Sequence, residues 1–387
     1  MVSSRTINTL KLPFIGLAIM LVALASVACS SDPETVEVIK EVEVIKEVEV
    51  IKEVEVIKEV EVIKEVPVES DASDHHDVDA KPLVIYSGRS ESLVGPLIED
   101  FSELTGIEVQ VNYAKTGPLA ATLLEEGDKT PADIFFAQDP GGLGAVDALL
   151  TELPSDVLNA VPEWARDPES RWVGTSGRAR VIVYNTDELT EADLPDSIED
   201  FVKPEWKGRI GWPPTNSSLH AMITGMRQEW GEDRTRAWLE GIVANEPKVY
   251  EKNTPTVKAA GAGEISVGFV NHYYLHRFIA EEGESFAARN YYTRSADPGS
   301  VVLVAGAGML DASDNKDAAA QFIKFLLSAS GQQFFAAKTY EFPLNDNAKP
   351  NNLLPAIGDI TKPSIDLGDL TDLQGTQDLL REVGALP

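Results

Sequence analysis

The chain has 387 residues, with 33 basic side chains against 63 acidic ones and a formal net charge of −30. That balance excludes nucleic acid and an anionic membrane surface as partners, because both reward lysine and arginine over aspartate and glutamate. The single cysteine, Cys29, excludes an intrachain disulfide and a thiolate metal cluster, which leaves anchoring as its role.

In chain order, the first segment reads as an export signal. Arg5 and Lys11 supply the positive flank, Leu12–Ala28 is apolar, and the small residues Ser26, Val27 and Ala28 precede Cys29. The alternative, an uncleaved transmembrane anchor, would have about 17 apolar residues, the short limit for crossing a bilayer. Next, VEVIKE repeats five times from Val36 to Glu65. A period of six matches neither the coiled-coil seven nor the helical 3.6, so it carries no continuous helical stripe. Its Val/Glu alternation favours extended structure and offers edges for strand pairing as a lesser alternative. The expected organisation is a signal peptide over 1–28, then Cys29 with a spacer and polar linker over 29–80, then a functional domain over 81–387. His75 and His76 in the linker read as solvated residues.

Residues 81–387 are long for one core and suit two lobes. A strand LVIYS at 83–87, a helical pattern over Leu93–Thr105, a strand IEVQVNY at 107–113 and a strand ADIFFAQ at 132–138 set a rhythm that continues to the end. That rhythm predicts an α/β class with mainly parallel sheets. In such sheets ligands sit outside the carboxyl ends of the strands. Polar groups collect there: Gly88, Arg89, Ser90 and Glu91 after the first strand, Gln138 and Asp139 after ADIFFAQ, and Thr215, Asn216, Ser217 and Ser218 after RIGW at 209–212. Thr215–Ser218 reads as a helix start suited to an anion, and KVYEKN at 248–253 as a strand that places Asn253 before Thr254-Pro255. The sharpest case is ISVGFVNHYYLHRF at 265–278, where an apolar run stops at Asn271 and delivers Tyr273 and Tyr274. Two adjacent phenols more often pack than ligate metal, yet as phenolates they would be anionic oxygen donors for a hard cation.

YSGRSES at 86–92, PADIFFAQD at 131–139, GTSGRARVIVYNT at 174–186, KGRIGWPPTNSS at 207–218, KNTPTVKAAGAGEISVGFVNHYY at 252–274 and VAGAGML at 304–310 resemble the ferric-ion-binding proteins of bacterial iron ABC transporters, members of the family 1 extracellular solute-binding proteins. The segment before Cys29 resembles a bacterial lipobox, with Ser26 departing from the usual leucine, and implies lipidation of Cys29. The family resemblance implies a two-lobe type II periplasmic-binding-protein fold with two hinge crossings, at RVIVYN (180–185) and VVLVAG (301–306). Lobe 1 would span about 82–180 and 305–354, and lobe 2 about 181–304 and 355–387. It makes Tyr273 and Tyr274 the ferric ligands. It puts Ser90 and Gln138, both neutral, where relatives use histidine and glutamate, and offers Glu91 as a substitute carboxylate. A carbonate or phosphate anion would meet Asn216, Ser217, Ser218, Asn253 and Asn271, with Arg178, Arg180 and Arg89 as cationic partners.

The implied protein is a monomeric lipoprotein on the outer face of the cytoplasmic membrane, attached by its lipid alone, that hands ferric ion to an ABC permease. The rival reading is a small oxyanion or organic-anion receptor on the same fold that does without metal, favoured by Ser90 and Gln138. No Gly-x-Ser-x-Gly elbow, zinc-ligand spacing or phosphate loop supports an enzyme, and His220, His272 and His276 read as ordinary satisfied imidazoles.

Overall fold

The structure, a computed structural model, describes residues 81–387; the export signal, Cys29, the VEVIKE repeat and the linker histidines lie outside the described residues. The strands are β1 (Leu83–Ser87), β2 (Val109–Tyr113), β3 (Ile134–Ala137), β4 (Trp172–Asn185), β5 (Ile210–Trp212), β6 (Lys248–Val249), β7 (Val267–Asn271), β8 (Ala288–Tyr291) and β9 (Val302–Met309). The helices are α1 (Glu91–Thr105), α2 (Thr116–Glu126), α3 (Pro140–Ala145), α4 (Ser155–Leu158), α5 (Ser217–Trp230), α6 (Glu232–Ala244), α7 (Asn253–Gly261), α8 (Tyr273–Glu282), α9 (Lys316–Leu327), α10 (Ala329–Lys338) and α11 (Leu373–Glu382).

The strands follow one path, β2-β1-β3-β9-β4-β7-β5-β6, with β8 also on β4. Two half-sheets meet on β4, whose first part, Trp172–Ala179, pairs with β9 and whose second part, Arg180–Asn185, pairs with β7 and β8. All fourteen residues of β4 are buried; the β-branched, apolar stretch Val181–Val183 suits a strand covered on both faces, whereas Arg178 and Arg180 are buried charges beside it. The expectation of mainly parallel sheets needs correction. The β1–β2, β1–β3, β5–β6 and β5–β7 pairs are parallel, but every pair made by β4 or β9 is antiparallel. Hydrophobic periodicity tells that such strands are buried, not which way they run.

Aromatic contacts gather on both sides of the crossing. Phe101 meets Phe322 edge-on at 5.2 Å in the first half, and Phe201 meets Trp206 at 4.8 Å and Phe269 at 5.6 Å in the second. After α10 the chain returns along β4 through paired backbone bonds between Phe342 and Gly177, then runs on to α11. Leu370, fully buried, sits between Gly141 of α3 and Gly225 of α5, so this stretch also ties the two halves together.

Candidate functional site

Helix starts and strand ends from both halves converge on one cleft. Strand β7 ends at Asn271, and α8 opens directly on the tyrosines. Their rings stack at 4.3 Å and 30°, Tyr273 has no exposure, and its hydroxyl has no hydrogen-bond partner among the described residues. Burial pushes the Tyr274 phenol well above the ordinary tyrosine range and Tyr273 adds to the rise, while Arg89 and Asn253 pull it back. This phenol therefore keeps its proton at neutral pH, and a cation that takes the oxygen must displace it.

Asn216 caps α5, its side chain accepting from Ser218 N at 3.1 Å. Ser218 Oγ is a hub, accepting from Gln138 Nε2 at 2.8 Å, Arg178 Nη1 at 3.1 Å and Asn271 Nδ2 at 3.3 Å. Asn271 Oδ1 in turn accepts from Arg180 Nη1 at 2.8 Å. Gln138 follows β3 and Ser218 starts α5, so their bond joins the two half-sheets across the cleft; Lys115 Nζ to Thr215 Oγ1, at 3.3 Å, is a second such link.

Three arginines are buried here, Arg89, Arg178 and Arg180, each at most 1% exposed. Burial pushes Arg180 down to about 9, and neighbouring Arg178 adds to the fall. Burial also opposes the charge on Arg89, but Glu341 and the two phenols outweigh it and hold that guanidinium above its usual range. Arg89 Nε and Nη1, Arg178 Nε, Arg180 Nε and Nη2, and both polar atoms of the Asn253 side chain lack partners among the described residues. Buried polar atoms are nearly always paired, so the unpaired arginine N–H groups here are free donors of the kind that suit an anionic oxygen.

The cleft holds about 330 Å³, lined among others by Arg89, Ser90, Gln138, Asn216, Ser217 and Tyr274. That volume admits a metal ion with an anion and water. A larger cavity of about 1070 Å³ lies between Ser155–Ser170, Val301–Val302 and Lys362–Leu367, and none of the unpaired buried groups lines it, whereas Arg89 lines the smaller one, so chemistry rather than size points there.

The structure thus brings together Tyr273, Tyr274, Gln138, Asn216, Ser217, Ser218, Asn253, Asn271, Arg89, Arg178 and Arg180. Ser90 reaches the cleft as an exposed residue, whereas Glu91 is exposed on the first turn of α1 and does not line it. The strand read through KVYEKN is only Lys248–Val249, and Asn253 is the first residue of α7 rather than its cap, which falls at Lys252. Several contributors escaped the sequence reading. Thr116 receives the Gln138 N–H on its hydroxyl at 3.1 Å; a Cβ on Gly88 would lie 2.1 Å from that oxygen, so only glycine lets β1 pass so close. Tyr113 and Lys115, at the end of β2 and just beyond it, line the cleft, and Glu341 pairs with Arg89. For Glu341 the available signal was a lone acid between Tyr340 and Phe342.

Among the described residues no group of three or more His, Cys, Asp and Glu side chains is placed to hold a metal. Residues 130–357 match the family of bacterial extracellular solute-binding proteins. The major ferric iron-binding protein of Neisseria meningitidis serogroup B (strain ATCC BAA-335 / MC58) is 33% identical over 310 residues, 78% of this chain and 92% of that protein. The Fe(3+)-binding periplasmic protein of Serratia marcescens is 32% identical over 308 residues, 79% of this chain and 90% of its own. The crystal structure of iron-bound HitA from Pseudomonas aeruginosa superposes with a TM-score of 0.75 at 29% identity, covering 79% of this chain and all of that one. The chain belongs to the bacterial extracellular solute-binding proteins, and its two half-sheets, which meet on β4, form their two-lobe periplasmic-binding fold. Solute-binding proteins are transport proteins, which sets the enzyme reading aside.

Proposed function

We propose that the protein captures ferric ion outside the cytoplasmic membrane, together with carbonate or phosphate, and delivers it to an ABC permease. The observation that carries this reading is the stacked Tyr273–Tyr274 pair, buried beside three guanidiniums with free donors. The ferric ion, as cargo, takes the two phenolate oxygens, with Ser90 and Gln138 as neutral first-lobe donors and Glu91, on the first turn of α1, as the nearby carboxylate on that side. The anion takes the free hydrogens of Arg89, Arg178 and Arg180 and the polar groups of Asn216, Ser217, Ser218, Asn253 and Asn271. The ferric-binding relatives support the metal, and the arginines support the anion. Ferric ion added to metal-free protein should give a visible phenolate-to-iron absorption band that strengthens when carbonate or phosphate returns to a stripped buffer. No band would sink the iron reading.

A metal-free anion receptor is the second reading, favoured by the Gln138 amide engaging Ser218 and by the neutral Ser90. It requires tight phosphate or carboxylate binding with no gain from ferric ion. The rest of the proposal concerns placement: lobe 1 over about 82–180 and 305–354, lobe 2 over about 181–304 and 355–387, a monomer held to the membrane by a lipid on Cys29 through a spacer. Cys29→Ser should release the protein from the membrane fraction, and deleting Val36–Glu65 should leave ferric affinity unchanged. A cysteine variant that stays with the membrane would overturn the anchor.

A further inference from the structure

Glu341 has no exposure and lies 252 positions from its partner Arg89. One carboxylate oxygen accepts from Arg89 Nη2 and the other from the Ser176 hydroxyl on β4. The backbone fixes it firmly. Glu341 N donates to Phe335 O at 2.9 Å, Phe342 exchanges two backbone bonds with Gly177, and Tyr340 before it takes a left-handed φ of 57°. Tyr340 O accepts from His272 Nε2 at 2.8 Å, and the His272 ring stacks on Phe342 at 4.8 Å and meets Tyr273 edge-on at 5.6 Å. The Glu341 turn therefore touches the crossing strand, Arg89 and the residue that precedes the tyrosine pair.

Charge sets what this turn can do. Among the described residues Glu341 is the carboxylate paired with any of the three buried arginines of the cleft. Three guanidiniums and one carboxylate leave a local surplus of two positive charges; without the carboxylate the surplus would be three. A buried charge unbalanced by one unit still acts on an anion about 10 Å away, and more strongly the higher the anion's charge.

We propose that Glu341 is a positioning residue of the cleft: it holds Arg89 with Nε and Nη1 free beside the phenols, and it lowers the charge of the arginine cluster so that anions of low charge are accepted. This rests on the anion half of the proposed function and adds a selectivity determinant to it.

The test measures binding of inorganic phosphate and of pyrophosphate to the metal-free protein by calorimetry, and then ferric titrations of the same samples. Glu341→Gln should raise pyrophosphate affinity relative to phosphate by about tenfold, the order that one extra unit charge gives about 10 Å away at an effective dielectric constant near 20. Glu341→Asp should keep the wild-type preference. If the unpaired arginine prevents Glu341→Gln from folding, the double variant Arg89→Gln/Glu341→Gln restores the wild-type charge; it should keep the wild-type preference while binding both anions more weakly. An unchanged preference in folded Glu341→Gln, wild-type affinities in the double variant, or no anion binding by the metal-free wild type would overturn the proposal. A preference that moves as expected in protein showing no ferric band would keep Glu341's role and discard the iron reading.

Discussion

The two walls of the cleft are built from different chemistry. The second-lobe wall, from the end of β7 and the start of α5, carries both phenols, Asn271 and the capped helix start with Ser218. The first-lobe wall, from the ends of β1, β2 and β3, offers Arg89, Ser90, Tyr113, Lys115 and Gln138, all of which line the cleft, while the acid Glu91 stays outside it. The asymmetry gives the walls separate tasks. The second lobe would supply both phenolates for a hard cation and, from the start of α5, Asn253 and Asn271, most of the polar contacts to an anion, while the first would close over them with Arg89 and neutral donors. Closure as a hinge motion about the crossing strands fits that division.

The strongest challenge to this division is to disarm the second wall. Tyr273→Phe and Tyr274→Phe should each cost more ferric affinity than the roughly 10–100-fold that loss of an outer-sphere partner costs a metal site, because an anionic donor disappears with no replacement nearby. The circular dichroism and unfolding midpoint should hold, since only a hydroxyl is removed. Equal ferric affinity in the double variant would transfer the binding task to the other wall.

Acid should weaken the same wall. With the Tyr274 phenol raised by burial and held protonated, a ferric ion that takes its oxygen must release that proton, so affinity rises with pH across the neutral range and falls towards acid. Proton release measured by calorimetry in buffers of different ionisation enthalpy checks this; no release would mean the phenols are not ligands. The metal-free fold has its own acid limit. Burial pushes His272 down to about 3 and His276 to about 4. The unfolded chain then binds more protons than the folded one from about pH 6.5 downward, so stability is intact above that range and declines as pH falls through it. Urea midpoints at pH 7.5 and 4.5 should differ in that direction, and His272→Gln should reduce the difference.

A smaller effect should come from the seam between the walls. Ser218→Ala removes the acceptor for Gln138, Arg178 and Asn271, leaving buried donors unpaired at a cost of about 1–3 kcal/mol. The metal-free protein should populate more open forms, seen as a larger radius of gyration by X-ray scattering. If the radius stays the same, the Gln138–Ser218 bond does not help to hold the cleft closed.

How much of this was legible depended on the range of the contact. The second wall could be read because its signals are local: an apolar run broken at Asn271, and a polar cluster after RIGW that becomes a helix cap. The arginines could be named as candidates from SGRAR, but their convergence could not, since their partners Ser218 and Asn271 lie 40 and 91 residues further on. Glu341 and Thr116 were missed for the same reason: their partners, Arg89 and the Gln138 amide, are set by tertiary packing. Strand direction was misjudged because burial leaves the same hydrophobic trace on parallel and antiparallel strands. The cut from KVYEKN to a two-residue strand is a local failure, an exposed edge where Lys248 and Val249 have β5 alone to pair with.

The finest comparison between the walls is a single added charge on the weaker one. Gln138 stands at the end of β3 with its amide on Ser218 at 2.8 Å, close enough to the second wall that a carboxylate in its place would enter the ligand space. Gln138→Glu should therefore raise ferric affinity, by about tenfold, since an oxygen anion strengthens a hard-cation site but must first give up the donor bond to Ser218. The same charge should weaken phosphate binding to the metal-free protein, because it cancels part of the arginine surplus on which an anion depends. The two effects have opposite sign, so a general disturbance of the cleft, which would weaken both, is distinguishable. Titration of the variant with ferric ion and, separately, with phosphate decides it: weaker binding of both would mean that Gln138 serves only to close the cleft, and that the first wall has no seat for the metal.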